Sequence, residues 1–353
     1  MIIELTFIFF YSFASLFLLR KVAKRIGLVD KPNLRKQHSG VIPLVGGIAV
    51  FVTLAQHIYT NPNIIPYSEL FLVSIAILIV IGAFDDKYDI SFKFRLIVQT
   101  VLTIIMIYIT GLELNTIGDI LGLGPLSFGL FAPVITVFGV LGAINAFNMV
   151  DGIDGLLGGL SIVTFSGLAV ILNLNDQPNL VLLCTVIIVA IIPYVLMNLG
   201  LLGRKRRVFM GDAGSMMIGF TIIWLLLSAS QNADTNIMRP VTGLWLIALP
   251  LMDMIVVMAR RISQARSPFR PDRDHLHHLC LRLGFSNTHT LLMICSVATL
   301  FAGFGILGEI YQIPEATMFI SFLVTFCVYA SLLLKYWPQR INEMNNTSST
   351  NLS

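Results

Sequence analysis

The sequence predicts an all-α polytopic membrane protein of about eleven transmembrane helices. Its N-terminus is expected on the periplasmic side and its C-terminus in the cytoplasm. Three observations lead there. Hydrophobic residues make up 56% of the 353 positions and charged ones only 12%, far from the balance of a soluble globular domain. Apolar runs of bilayer-spanning length recur along the chain; they are continuous rather than alternating, which selects helices over a closed barrel. Finally, 22 of the 23 Lys and Arg residues fall in one alternate set of loops, with Arg239 the exception. That bias places the set in the cytoplasm.

Taken in order, the first span is 2–19, with no basic residue ahead of it and Arg20, Lys21, Lys24 and Arg25 behind it. This is the pattern of a retained anchor, not of a cleaved signal peptide. Further spans are predicted at 44–60, 69–84, 94–111, 129–147, 157–174, 180–198, 214–230, 240–258, 290–308 and 316–335. The chain reads as one polytopic domain over 1–341, followed by a polar, Asn/Ser/Thr-rich tail, 342–353, expected to be disordered. Four scattered cysteines, Cys184, Cys280, Cys295 and Cys327, suggest neither a disulfide framework nor a zinc site. The outer loops are short and carry nothing catalytic in pattern.

The polar chemistry gathers in the inner loops, and its centre is Asn145-Ala-Phe-Asn148-Met-Val-Asp151-Gly152-Ile-Asp154-Gly155. Carboxylates at the edge of a bilayer are costly and mark function by default. The four polar side chains recur every third residue, which would fan them across about half the circumference of a straight helix. A helix end running into a loop would instead let them converge. A simple polar cap needs one such residue, not four.

Asp85-Asp86-Lys87-Tyr88-Asp89 is a second cluster. Adjacent carboxylates repel, so holding both ionised takes a cation, either Lys or a divalent metal. Asp85 and Asp89 would share a helix face. A third is Arg204-Lys205-Arg206-Arg207-Val-Phe209-Met-Gly211-Asp212-Ala-Gly214-Ser215. Free N–H groups at a helix start suit phosphate, and an Asp there suits the accompanying Mg²⁺; a bare N-cap with basic residues that only set topology is the simpler alternative. Lys31, Arg35, Lys36 and His38 form a basic group that suits either lipid headgroups or a phosphate-bearing partner. The last cluster runs from Arg260 and Arg261 through Arg266 and Arg270 to Asp272-Arg273-Asp274-His275-Leu-His277-His278. Its spacing is not that of a zinc site, so cationic His and Arg on phosphates are favoured.

Acids for Mg²⁺, bases for phosphate and glycines for close backbone approach suit phosphoryl transfer, which asks for positioning and electrostatics more than covalent help. A site at the lipid boundary implies one lipid substrate and one from the cytosol.

At these residues the chain resembles the polyprenyl-phosphate N-acetylhexosamine-1-phosphate transferases. The resemblance runs from Lys31-Pro-Asn33 to His278 and rests on Asp85-Asp86, Asn148-Met-Val-Asp151-Gly-Ile-Asp154-Gly155, Phe209-Met-Gly211-Asp212-Ala-Gly214-Ser215 and His275-Leu-His277-His278. It implies transfer of GlcNAc-1-phosphate from UDP-GlcNAc to undecaprenyl phosphate, with release of UMP, in the bacterial inner membrane. That is the first step of O-antigen and enterobacterial common antigen synthesis in lipopolysaccharide-making bacteria. The branch acting on UDP-MurNAc-pentapeptide has three consecutive His, against His-Leu-His-His here. The resemblance further implies Mg²⁺ or Mn²⁺ held by Asp212 with Asp85 and Asp86, the pair also meeting the attacking lipid phosphate. Asn148, Asp151 and Asp154 would form the nucleotide-facing, catalytic loop. Phe209, beside Gly211, would lie near the uracil, and His275, His277 and His278 would grip the pyrophosphate or sugar. Membrane lipid is an expected partner, nucleic acid is not, and a homo-oligomer stays open. Two rival readings are a sister activity on another UDP-HexNAc and, from a different class, a secondary transporter. A transporter would carry its polar site near the midplane, whereas these acids lie at predicted helix ends, with Asp253 alone inside a span.

Overall fold

The computed structural model describes residues 1–31, 40–231, 237–268 and 275–336. Arg35, Lys36, His38, Arg270, Asp272, Asp274 and the tail lie outside them. Thirteen helices are described: α1 Ile2–Ile26, α2 Gly46–Thr60, α3 Ser68–Tyr88, α4 Phe92–Thr110, α5 Ala132–Met149, α6 Leu156–Leu174, α7 Pro178–Asn198, α8 Gly211–Ser230, α9 Pro240–Leu246, α10 Ala248–Ser263, α11 Leu276–Arg282, α12 Asn287–Ile310 and α13 Glu315–Tyr336. The only sheet among the described residues pairs Val29–Asp30 with Ile42–Pro43.

Nine helices among the described residues are long and apolar enough to cross a membrane, ten if α9 and α10 count as one span. The chain is thus an all-α, multi-pass membrane protein. Two spans differ from expectation. α2 has only 15 residues, a little over 22 Å at about 1.5 Å per residue, and is short for a full crossing. The run 240–258 is not one rod: α9 and α10 meet at a 79° bend. Pro250 lies in the first turn of α10 and offers no N–H to the Leu246 carbonyl, which accepts the Thr164 hydroxyl at 3.2 Å instead.

α8 is the axis of the bundle. Of its most apolar stretch 89% is buried, against 17% for α1 and for α13 at the periphery. Its sequence is apolar all round, as a helix enclosed on every side requires. Close packing comes from small residues, the usual device where lipid removes the hydrophobic drive between helices. A Cβ on Gly214 would come within 2.6 Å of Gly47 Cα, so the α2 and α8 backbones touch there. α3 and α5 flank the same helix. This packing brings the C-terminal ends of α3 and α5 to the first turn of α8.

Candidate active site

The first turn of α8 is held by Asp86, from the last turn of α3. Its Oδ1 accepts the Asp212 N–H at 2.8 Å and its Oδ2 the Ala213 N–H at 3.3 Å. Two N–H groups that a helix start leaves unbonded are thereby satisfied. Gly211 makes the approach feasible: it has φ +77°, and a Cβ there would overlap the Asp86 carboxylate.

Asp85, on the next position of α3, is buried and faces Arg95 of α4 at 2.5 Å. The same guanidinium lies 3.4 Å from Asp212, so one Arg stands between two carboxylates. Asn148, near the end of α5, donates to Asp212 Oδ1 at 2.6 Å and lies 2.7 Å from Ser215 Oγ. Arg95, Asn148 and Asn145 also line a small crevice of about 20 Å³ between α4, α5 and α8, with Phe92, Gln99, Ile144 and Met216 as further walls. Asn145 does not join the carboxylates; its side-chain amide donates to the Leu141 carbonyl of its own helix.

α5 does end in a loop, and residues 150–155 carry the remaining acids. Asp154 pairs with Arg207. Asp151 is exposed to solvent, with protein packed around it. That surrounding, then the Asp212 and Asp154 carboxylates, pushes its pKa up to about 7. The loop is tied to the segment before α8 by Asn198, at the end of α7. Its Oδ1 accepts the Gly155 N–H at 2.5 Å and its Nδ2 donates to the Val208 carbonyl at 2.9 Å. Phe209 is fixed through its backbone, its N–H on the Pro43 carbonyl and its carbonyl accepting from Gly46, each at 2.9 Å.

The histidines divide. His275 is buried, with Nδ1 2.7 Å from Asp253 and Nε2 3.3 Å from Arg261. His277 is buried against Gly152 of the acid loop, and burial, then His278, pushes its pKa down to about 3. His278 is half-buried, its ring centroid 4.2 Å from that of His277. Asp89 is exposed and turns the chain at φ +53°.

Arg95 and Asn198 were not singled out by sequence, and Arg207 was named only within a basic run suited to phosphate or to topology. Arg95 looked like one more topology charge, and a single Asn ending an apolar run carries no pattern. Among the described residues no three His, Cys, Asp or Glu side chains are close enough to form a metal cage by themselves. Mg²⁺ rarely needs one: it takes one or two carboxylates, with substrate phosphates and waters completing the shell. Five carboxylates (Asp85, Asp86, Asp151, Asp154, Asp212) against Arg95 and Arg207 leave an excess of hard anionic oxygen, so the donor set fits such a cation.

The fold defines the class first: a multi-pass membrane protein whose acidic centre sits at the ends of its spans, around the start of a buried helix. The chain belongs to glycosyl transferase family 4, whose sequence model matches residues 69–230. It is 48% identical, over 95% of its own length and 91% of the relative, to the undecaprenyl-phosphate alpha-N-acetylglucosaminyl 1-phosphate transferase of Salmonella typhi. The Yersinia pestis transferase of the same name is 49% identical over 95% and 92%. That of Haemophilus influenzae is 46% identical over 93% of each chain.

Proposed function

We propose that this chain transfers GlcNAc-1-phosphate from UDP-GlcNAc to undecaprenyl phosphate, giving undecaprenyl-pyrophosphate-GlcNAc and UMP. The observation that carries the reading is the near end-to-end likeness to transferases of that name, joined to an acidic centre built from the same chain's motif residues. The site faces the cytoplasm of the inner membrane in this reading, because nearly all Lys and Arg lie in the loops on its side of the predicted topology. O-antigen and enterobacterial common antigen are the glycans such a product would start.

The reaction forms one bond and breaks one. An oxygen of the lipid phosphate attacks the β-phosphorus of UDP-GlcNAc, and the bond from that phosphorus to the bridging oxygen breaks, leaving UMP. A phosphate monoester loses its second proton at about pH 6, so the attacking group is already ionised in the cytosol. Asp85 therefore orients rather than deprotonates. It holds Arg95 until the acceptor phosphate arrives and takes that guanidinium. Asp86 keeps the first turn of α8, and hence Asp212, in place. Asp212, with Asp85 across Arg95 from it, would hold Mg²⁺ or Mn²⁺ together with substrate phosphates and waters, and the ion would neutralise phosphate charge. Arg207 and the neighbouring basic residues Arg204, Lys205 and Arg206 draw the nucleotide phosphates. Asn148 sets the Asp212 carboxylate, and Phe209 lies on the nucleotide side of the loop.

Purified protein given UDP-GlcNAc, Mg²⁺ and undecaprenyl phosphate should release UMP, and Asp212→Asn should not. Omission of lipid or addition of EDTA should also stop release. UMP only from another UDP-HexNAc would keep the reaction and change the donor. Release of UMP without lipid, with a phosphorylated Asp trapped, would replace direct attack by a two-step route.

A further inference from the structure

Away from the acidic centre, α10 carries a carboxylate in its interior. Asp253 is 2% exposed, and an ionisable group so placed costs several kcal/mol unless its oxygens are satisfied. Three donors surround it. Oδ2 faces His275 Nδ1 at 2.7 Å; Oδ1 accepts the Leu276 N–H at 2.9 Å and the Tyr329 hydroxyl at 2.8 Å. Tyr329 belongs to α13, the peripheral last helix, so the contact joins elements far apart in the chain.

The contacts set the direction of the effect. Two of the three bonds fall on consecutive residues, His275 and Leu276, and so fix the peptide that leads into α11. On its far side His275 is 3.3 Å from Arg261, which donates to the Pro268 carbonyl at 2.5 Å. The ring of His277 lies parallel to that of His275, with centroids 5.8 Å apart and 2° between planes. His277 is buried against Gly152, and its Nε2 has no hydrogen-bond partner among the described residues. A buried ring nitrogen without a partner is an expensive feature, and this one faces the loop of Asp151 and Asp154. Neither Asp253 nor Tyr329 meets that loop directly.

We propose that Asp253 and Tyr329 are positioning residues for the transferase reaction: through His275 and Leu276 they hold His277 against Gly152, coupling α13 to the nucleotide-facing loop. The proposal rests on the functional reading above. It explains why a peripheral helix ends a hydrogen bond on a carboxylate inside the bundle. It also assigns His275 to holding the loop, with both ring nitrogens already engaged, and leaves His277 and His278 as the histidines facing the acid loop.

Tyr329→Phe is the decisive variant, because it removes one hydroxyl and keeps the ring. In the full-length protein in detergent it should lower kcat/KM for UDP-GlcNAc about tenfold. The KM for undecaprenyl phosphate should stay unchanged, and the thermal midpoint should fall only by the modest amount that one lost hydroxyl explains. Placed in a His275→Ala background, Tyr329→Phe should lose most of its effect, since only the Leu276 N–H then links Asp253 to the segment. Asp253→Asn should match Tyr329→Phe in direction and exceed it. Hydrogen exchange supplies a readout independent of turnover: amides at 275–278 should exchange about tenfold faster in Tyr329→Phe.

Three results would overturn the proposal: unchanged exchange at 275–278, a kcat/KM loss that simply adds to that of His275→Ala, or an effect confined to the thermal midpoint. Should the parent protein release no UMP from UDP-GlcNAc, the functional reading fails, and the exchange measurement still decides whether Tyr329 holds the segment.

Discussion

Asp86 can be tested as the cap of α8, separately from any role in turnover. Its two oxygens take the N–H groups of Asp212 and Ala213. A capping acceptor contributes about 1 kcal/mol, and a negative charge at the positive end of a helix adds about 0.3–1 kcal/mol. Asp86→Ala removes both effects, about 1–2 kcal/mol in all. Asp86→Asn keeps one acceptor oxygen without the charge, so about half of the loss is expected. The assay is the thermal unfolding midpoint in detergent without nucleotide, read beside UMP release. The order of midpoints should be parent, Asn, Ala. Because Asp212 sits on the turn that Asp86 holds, activity should fall in the same order. An Asp86→Ala protein as stable as the parent, or an Asn variant less stable than the Ala variant, would refute the capping argument.

Other expectations follow from the same geometry. Arg95→Met leaves Asp85 and Asp212 without their shared guanidinium; about 3–5 kcal/mol is the usual cost of stranding a buried charge, and a much smaller monodisperse fraction on size exclusion should show it, with Arg95→Lys between. Asp151 has its pKa pushed up to about 7, so in EDTA its contribution to stability is fully present below about pH 4, the ordinary Asp range, and is lost as pH rises through about 7. Thermal midpoints taken from pH 4 to 8 should decline in the parent by more than in Asp151→Asn, and equal slopes would remove Asp151 as the cause. Arg207→Ala removes the guanidinium paired with Asp154 and should raise the KM for UDP-GlcNAc about tenfold, equivalent to about 1.4 kcal/mol, with the KM for lipid unchanged. Gly214→Val forces α8 off α2 and should abolish the folded, detergent-stable species, seen as aggregation on size exclusion.

Much of this was legible in the chain because lipid imposes simple rules. Long apolar runs marked every helix that reaches across, and the pairing of acids with run ends marked one end of the bundle. Prolines marked the limit of that reading. Pro250 accompanies a 79° bend at the start of α10, whereas Pro193 lies inside α7, which continues through it. At the bend, the Leu246 carbonyl is taken by Thr164 of α6, a tertiary contact that no local pattern carries. In the site, the motif acids could be named from sequence, but their division of labour could not. Arg95 looked like one more basic residue setting topology; only the approach of α3, α4 and α8 makes it the cation between Asp85 and Asp212. His275 looked like its neighbours in the string, yet a carboxylate on another helix turns it inward.

The central place of α8 bears on how the protein is made. Its partners α2, α3 and α5 all precede it in the chain, so during synthesis it arrives at a slot whose walls already exist. Until it docks, Asp86 has no amides to hold and Asp85 shares its arginine with no second carboxylate. A nascent chain stopped before residue 211 thus has Asp85 paired with Arg95 and Asp154 with Arg207 but leaves Asp86 without the amides it holds and lacks Asp212. The acidic centre comes together only when the ribosome has delivered the eighth helix, which links assembly of the site to completion of the bundle.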